Sequence, residues 1–111
     1  MFWSDWNREG PKIEMANLDG SGRSVLVSTD LGLPNNLAID YDRNDLCWTD
    51  AGLHRIECID LYGNSRRIVH TPTGLTPNRF LFDTNFGFPS KAYPFDLTIN
   101  GNSIYWTDWE M

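Results

Sequence analysis

Short apolar runs recur along the chain, and turn-forming residues separate them. Leu37 and Ile39, and then Leu46 and Trp48, are each spaced two residues apart. A period of two is that of a β-strand with one buried face, and no useful length of the chain shows the helical period. The pattern therefore predicts an all-β fold. One antiparallel sheet is expected from strands at 37–41, 45–50, 55–61 and 65–70.

One tetrapeptide appears in three near-copies, each with tryptophan followed by serine or threonine and then aspartate. The copies are Phe2–Asp5, Cys47–Asp50 and Tyr105–Asp108. The first two tryptophans are 45 residues apart, and the second and third are 58 apart. Repetition near the shorter spacing is typical of a propeller blade built from four antiparallel strands. About thirteen extra residues then fall in the second interval.

The repeats divide the chain into units. Residues 1–33 form a partial unit, 34–72 a complete one and 92–111 the first half of a third. A blade cannot bury both faces alone, and a closed ring needs at least about four blades. With 111 residues and about two and a half blades, the chain is expected to be a propeller fragment.

Residues 73–91 interrupt the pattern and carry four phenylalanines, which is apolar for a surface loop. Three interpretations stay open: a lid over a binding face, an additional packed hairpin, or non-native sequence such as an unspliced intron.

The formal net charge is −6 and the isoelectric point about 4.6, which argue against nucleic acid or an anionic membrane as the partner. No apolar run approaches the length of a transmembrane helix. The chain opens inside a strand at Met1–Trp3, without the pattern of a signal peptide.

The two cysteines flank the turn 51–54. If Asp50 faces Arg55 across that turn, Cys47 falls opposite Cys58, at a separation that a disulfide can span. The pair is therefore predicted to be bonded, which indicates an oxidising, secreted setting. Two buried free thiols are the alternative. Zinc is disfavoured, because no histidine forms a ligand cluster with them.

Nothing in the sequence indicates an enzyme or a cofactor. The repeated aspartates occur once per blade, so a ring would spread them around its axis. Each is expected to accept backbone N–H bonds from a neighbouring blade instead. The acidic stretch 40–45 reads as a turn and lacks the glycine and the terminal glutamate of a helix-loop-helix calcium site. The repeated aspartates are Asp5, Asp50 and Asp108.

The motifs resemble the low-density lipoprotein receptor class B (YWTD) repeats, which form six-bladed propellers on extracellular proteins. The resemblance rests on the tetrapeptides, on Pro34–Asp40 and on Ile13-Glu14 with Leu18-Asp19-Gly20. Within that class the chain is similar to the nidogen group of basement-membrane linkers, which implies a laminin γ chain as partner. It is also similar to the lipoprotein-receptor-related group, whose cell-surface ectodomains bind Wnt-pathway ligands or lipoproteins.

The resemblance also implies a binding face at one end of the propeller. An asparagine after the blade-leading proline and a tryptophan after the tetrapeptide contact the partner in relatives. Asn35 and Trp6 match those positions, and Asn36 stands where relatives have glycine. Asn35 also fits a plain turn residue. The residues expected to bind the partner are Asn35, Trp6, Tyr93 and Trp109, and those that mark the repeat are Trp3, Trp48 and Trp106 with their aspartates.

Overall fold

The structure, a computed structural model, describes residues 1–7, 9–70 and 94–108. These ranges hold nine β-strands and no α-helix. The strands are β1 (Phe2–Asp5), β2 (Lys12–Met15), β3 (Ser24–Val27), β4 (Pro34–Asp40), β5 (Asp45–Asp50), β6 (Arg55–Asp60), β7 (Arg67–His70), β8 (Pro94–Asn100) and β9 (Ser103–Asp108). The segment 73–91, Tyr93 and Trp109 lie outside the described residues.

The strands make three antiparallel sheets. Sheet 1 has the order β1-β2-β3, sheet 2 the order β4-β5-β6-β7, and sheet 3 pairs β8 with β9. The all-β prediction and the four-stranded antiparallel blade are confirmed. Each sheet follows chain order, which short turns between neighbouring strands allow.

The strands of sheet 2 lie near their predicted positions. The predicted bounds of β5 are those observed, whereas β6 ends at Asp60 and β7 begins only at Arg67. The largest difference is at β4, which begins at Pro34 rather than at residue 37. Proline is tolerated at the first residue of a strand because its missing N–H removes no interior ladder bond.

Sheet 2 buries both of its faces. Toward sheet 1 it packs Leu46 and Trp48, and toward sheet 3 it packs Cys47 and Ile56. Every residue of β5 is buried as a result. Successive side chains of one strand thus enter two separate cores, as stacked propeller blades require. The first core consists of Ile13, Val27, Leu46, Trp48 and Ile59, and the second of Cys47, Ile56, Cys58 and Leu97.

A disulfide joins Cys47 of β5 to Cys58 of β6, which face each other directly in the register with Cα atoms 4.0 Å apart. The predicted pairing is confirmed. The bond lies on the face of sheet 2 that packs against sheet 3, so it fixes the register of the sheet beside its second core.

The repeat tryptophans of sheets 1 and 2 each lie beside a glutamate on the next strand and below an arginine. Trp3 faces Glu14, and the Arg23 guanidinium lies 5.4 Å from the centre of its ring. The Trp3 indole N–H donates to Glu14 Oε2 at 3.1 Å. In sheet 2, Glu57 and Arg66 take the same places around Trp48. A cation over an indole face is attractive, so each arginine favours this packing.

The two units differ in one contact. Trp48 Nε1 is buried and has no hydrogen-bond partner among the described residues. Arg55 donates to Glu57 Oε2 at 3.0 Å, on the oxygen that corresponds to the acceptor of Trp3. Arg55 therefore takes the acceptor that the Trp48 indole would otherwise use.

Candidate functional site

The upper end of the sheets is where β1 and β5 finish and where β4 and β8 begin. Asp50 organises this end from a fully buried position. Its Oδ2 accepts from the Gly32 N–H at 2.8 Å, and its Oδ1 accepts from the Leu33 and Leu53 N–H groups at 2.9 and 2.8 Å. A fourth bond, from Gly52 N–H, is 2.9 Å long. The carboxylate thus joins the loop 28–33 to the turn 51–54.

These donors differ in part from the sequence expectation. The repeat aspartate was expected to accept N–H bonds from a neighbouring blade, but Asp50 accepts them from its own turn and from the loop that connects sheets 1 and 2. The two backbones approach so closely that a Cβ on Gly32 would lie 2.9 Å from the Gly52 Cα atom. Only glycine fits both positions.

Arginines hold the other side of the same loop. Arg66 donates to the Thr29 and Asp30 carbonyls at 2.6 and 2.8 Å, and Arg55 donates to Asp30 at 3.2 Å. The loop 28–33 is therefore bonded through its carbonyls to the arginines and through its N–H groups to Asp50. This leaves its backbone well satisfied, and β4 starts from a fixed position.

Trp6 and Asn35, both predicted to contact a partner, meet at the upper end. The Trp6 indole N–H donates to the Pro34 carbonyl at 2.6 Å, while 52% of the residue stays exposed. The Ser4 hydroxyl donates to the Asn35 carbonyl at 3.0 Å. Both bonds run from sheet 1 to the first residues of β4, so the indole is oriented and the backbone of Asn35 is held.

The Asn35 side chain is half-buried, and its amide makes no hydrogen bond to any of the described residues. An amide of this kind can donate two hydrogen bonds and accept two. Leaving it unpaired when a protein surface covers it is unfavourable. The upper end therefore offers a partner a side-chain amide to hydrogen-bond and an oriented, exposed indole to contact.

Asn36, which stands where relatives have glycine, does not take a left-handed backbone conformation. The non-glycine residues with positive φ in the described ranges are Asp30, Asn44, His54 and Ser65. Its side chain reaches sheet 3 instead, where Nδ2 donates to an Asp96 carboxylate oxygen and, at 3.3 Å, to the Leu97 carbonyl. This pair could not be inferred from the sequence, because the partners are sixty residues apart.

The remaining predicted residues are placed as follows. Asp5 ends β1 and accepts the Asn7 N–H at 3.0 Å, which shapes the turn that carries Trp6. Asp108 ends β9 opposite Pro94. Trp106 is 39% exposed, and its ring centre lies 4.6 Å from that of His70. The binding roles predicted for Asn35 and Trp6 stay predictions.

The lower end, formed by the turns 41–44, 61–66 and 101–102, is closed by ion pairs. Asp40 accepts the N–H groups of Asp42 and Arg43 and pairs with the Arg43 guanidinium at 2.8 Å. Arg43 also donates to Asn102 Oδ1 at 2.8 Å, which joins sheet 2 to sheet 3. The acidic stretch 40–45 contains the turn 41–44, which joins β4 to β5. No three His, Cys, Asp or Glu side chains of the described ranges gather as metal ligands.

Arginines favour the charged form of two carboxyl groups. A hydrogen bond from Arg23 lowers the pKa of Glu14 below its ordinary value, despite the opposing effect of desolvation. A hydrogen bond from Arg43 lowers the pKa of Asp40 in the same way. Both groups form ion pairs with these arginines and lie away from the upper end, so their charges stabilise the fold.

A cavity of about 200 Å³ separates the lower parts of sheets 2 and 3, and the disulfide forms part of its wall. The charged side chains around it are paired with each other, Asp40 with Arg43 and Asp45 with Arg67. This pairing leaves no charge there for a ligand.

Comparisons with known proteins agree with the repeat pattern. Residues 1–41 match the family of low-density lipoprotein receptor repeats of class B. The chain is 37% identical over 105 residues to a nidogen of Drosophila melanogaster, which covers 94% of this chain and 6% of that protein. It is 36% identical over 110 residues to a vitellogenin receptor of Solenopsis invicta, covering 99% of this chain and 5% of the receptor.

A human low-density lipoprotein receptor-related protein 5-like protein is 35% identical over 109 residues, which is 98% of this chain and 36% of that protein. Among solved structures, a crystal structure of a nidogen/laminin complex matches 97% of this chain and 34% of the other, with a TM-score of 0.75 and 37% identity. The chain thus spans a small part of these relatives. No helix in the described ranges is long and apolar enough to cross a membrane.

Proposed function

The chain carries low-density lipoprotein receptor class B repeats, and on this premise we propose that it is part of an extracellular binding module whose partner is a laminin γ chain. The observation that carries the proposal is the match of 97% of the chain to a nidogen structure from a nidogen/laminin complex. The identity of 37% across that match supports a shared use of the surface as well as a shared fold.

The upper end supports this role on physical grounds. A partner that covers Asn35 can pair the side-chain amide, which makes no hydrogen bond to the described residues, and it gains the exposed part of the Trp6 ring as apolar contact. Tryptophan is enriched among the residues that dominate binding energy, and a fixed side chain loses less entropy on binding. The bond from the Trp6 indole to the Pro34 carbonyl provides that fixation.

A second candidate is the ectodomain of a lipoprotein-receptor-related receptor at the cell surface, binding a lipoprotein or a Wnt-pathway ligand. The identities to the vitellogenin receptor and to the receptor-related protein, 36% and 35%, are close to that for nidogen, which keeps this candidate open. The two candidates imply different full-length proteins. A membrane span downstream of the repeats would support the receptor candidate.

We also propose that the module is not an enzyme. Both carboxylate oxygens of Asp50 are occupied by backbone N–H groups, and Asp5 and Asp50 lie in different sheets. Carboxylates that are separated and committed in this way suit a structural role better than acid–base chemistry, which needs groups within reach of one substrate.

The test is direct binding of the full-length secreted protein to two immobilised probes, a laminin γ chain and a vitellogenin-type lipoprotein. We expect saturable binding to the laminin chain, with a Kd below about 1 μM, and none to the lipoprotein. Binding to the lipoprotein alone would replace the proposal with the receptor candidate. Binding to neither probe would overturn the laminin proposal and would leave the receptor candidate only with a Wnt-pathway ligand.

A further inference from the structure

Two equivalent positions of neighbouring repeats touch at the upper end. Asn36 is the second residue after Pro34, and Asp96 is the second after Pro94. Each stands near the start of the strand that opens its unit, β4 or β8. The Asn36 side chain bridges them by donating to the Asp96 carboxylate.

The bridge uses all the donors of the Asn36 side chain. Its two amide hydrogens are directed to Asp96 and to the Leu97 carbonyl, and its backbone N–H donates to Thr49 Oγ1 at 3.2 Å. The Asn36 side-chain oxygen Oδ1 receives no donor from the described residues. The Asn36 side chain is therefore held against sheet 3, and Asp96 stays exposed.

The Asp96 carboxylate adds a negative charge that the described residues do not neutralise. Asp96 is exposed, and no arginine, lysine or histidine of the described ranges pairs with it. Four buried acidic groups of sheets 1 and 2 differ from Asp96, because each has an arginine within ion-pair distance. These pairs are Glu14 with Arg23, Asp40 with Arg43, Asp45 with Arg67, and Glu57 with Arg55 and Arg66.

We propose that Asn36 and Asp96 form an acceptor site for a lysine or arginine side chain of the protein partner, at the same end of the sheets as Asn35. The inference rests on the proposed binding function and names a specificity-determining pair within it. A cation is the complement of an uncompensated carboxylate flanked by a carbonyl acceptor. An acidic group of a competing partner would meet repulsion at the same place, so the pair also selects against acidic loops.

The site adds to the sequence-predicted face rather than repeating it. Asn35 and Trp6 supply an amide and an apolar ring, neither of which distinguishes a cationic from a neutral partner group. Asp96 supplies the charge, and Asn36 fixes where that charge lies relative to Asn35, its neighbour in the chain. Asn36 is therefore a positioning residue and Asp96 the contact residue.

The test measures association of the full-length protein with the immobilised laminin γ chain, and with the lipoprotein probe, at salt concentrations from about 0.05 M to 0.5 M. Asp96→Asn removes the charge and keeps an acceptor for Asn36. Asp42→Asn is the matched control, since Asp42 is an exposed carboxylate in a turn at the lower end. Melting curves check that both variants fold like the parent.

We expect Asp96→Asn to weaken binding roughly 5-fold at the lowest salt, mainly through slower association, and to reduce the salt dependence. Asp42→Asn should bind like the parent. If Asp96→Asn keeps the parent's affinity and salt dependence, the inference is wrong while the proposed function stands. If Asn36→Ala weakens binding but Asp96→Asn does not, the pair reads a neutral donor, and the cationic partner group is excluded. Failure of the parent to bind either probe removes the proposed function and this inference with it.

Discussion

Hydrogen bonding at the upper end separates the side chains that hold the fold from those left for a partner. Asp50 is fully buried and accepts four backbone N–H groups, so nothing of it remains for a ligand. Asn35, a few residues away along the chain, has a side-chain amide with no bond to the described residues.

This difference gives a prediction for single substitutions in the full-length protein. Asn35→Ala should weaken laminin binding by about 5- to 150-fold, the equivalent of the 1–3 kcal/mol lost when a buried polar group on the partner is left unpaired. Trp6→Ala should cost at least as much, because it also removes an oriented aromatic contact. Equilibrium binding to the immobilised laminin γ chain measures both.

Asp42→Ala is the control for these variants, since Asp42 lies in a turn at the lower end. It should bind like the parent, and all three variants should melt at matching temperatures. If Asn35→Ala and Asp42→Ala both bind like the parent, Asn35 is a turn residue and the contact surface lies elsewhere.

Residue-level contacts could be predicted where they depend on register within one sheet. The Cys47–Cys58 bond followed from counting residues across a four-residue turn. The Asn36–Asp96 bridge could not be found this way, because it depends on how two sheets pack and joins residues sixty positions apart. The unpaired Trp48 indole was equally hidden, since it results from competition by Arg55 for a glutamate oxygen.

At the scale of strands and loops, the alternating pattern located the strands because one face of each is buried. It placed the start of β4 too late, since Pro34, Asn35 and Asn36 interrupt the apolar alternation. The position of that strand is set by bonds outside it, from Asp50 to the preceding loop and from Ser4 and Trp6 to its first carbonyls. Contacts of this kind do not produce a periodic pattern of apolar residues in the sequence.

The role of Asp50 can be tested by Asp50→Asn. The amide would keep one acceptor oxygen but turn its NH2 group toward an N–H donor such as that of Gly32. A buried donor left unsatisfied costs about 1–3 kcal/mol, so we expect the free energy of unfolding to fall by that amount. Urea denaturation of the full-length protein measures the change, with Asp42→Asn as the exposed control. An unchanged midpoint would mean that the carboxylate does not hold the two loops.

At the scale of the molecule, sheet 2 shows what a complete unit needs. It buries one face on sheet 1 and the other on sheet 3, and each pair of sheets is also joined at the upper end. The repeat spacing predicted this stacking, because every unit offers the same two apolar faces. The match to about a third of the nidogen chain agrees with a part of a propeller.

The stacking also gives the molecule two ends with different chemistry. The upper end carries the exposed indole of Trp6, together with the amide of Asn35 and the charge of Asp96, neither of which has a side-chain partner of opposite character among the described residues apart from Asn36. The lower end has its main charges paired and presents Tyr41 and Tyr62, which are 79% and 85% exposed. Exposed aromatic side chains therefore report on both ends separately.

Hydroxyl-radical footprinting of the full-length protein, free and saturated with the laminin γ chain, tests most directly whether the upper end is the binding face. Tryptophan and tyrosine side chains are oxidised according to their exposure, and mass spectrometry of the peptides measures the rate at each. We expect the oxidation rate of Trp6 to fall several-fold on binding, while the rates of Tyr41 and Tyr62 stay as in the free protein. Protection of Tyr41 and Tyr62 with Trp6 unchanged would place the partner at the lower end and contradict the account.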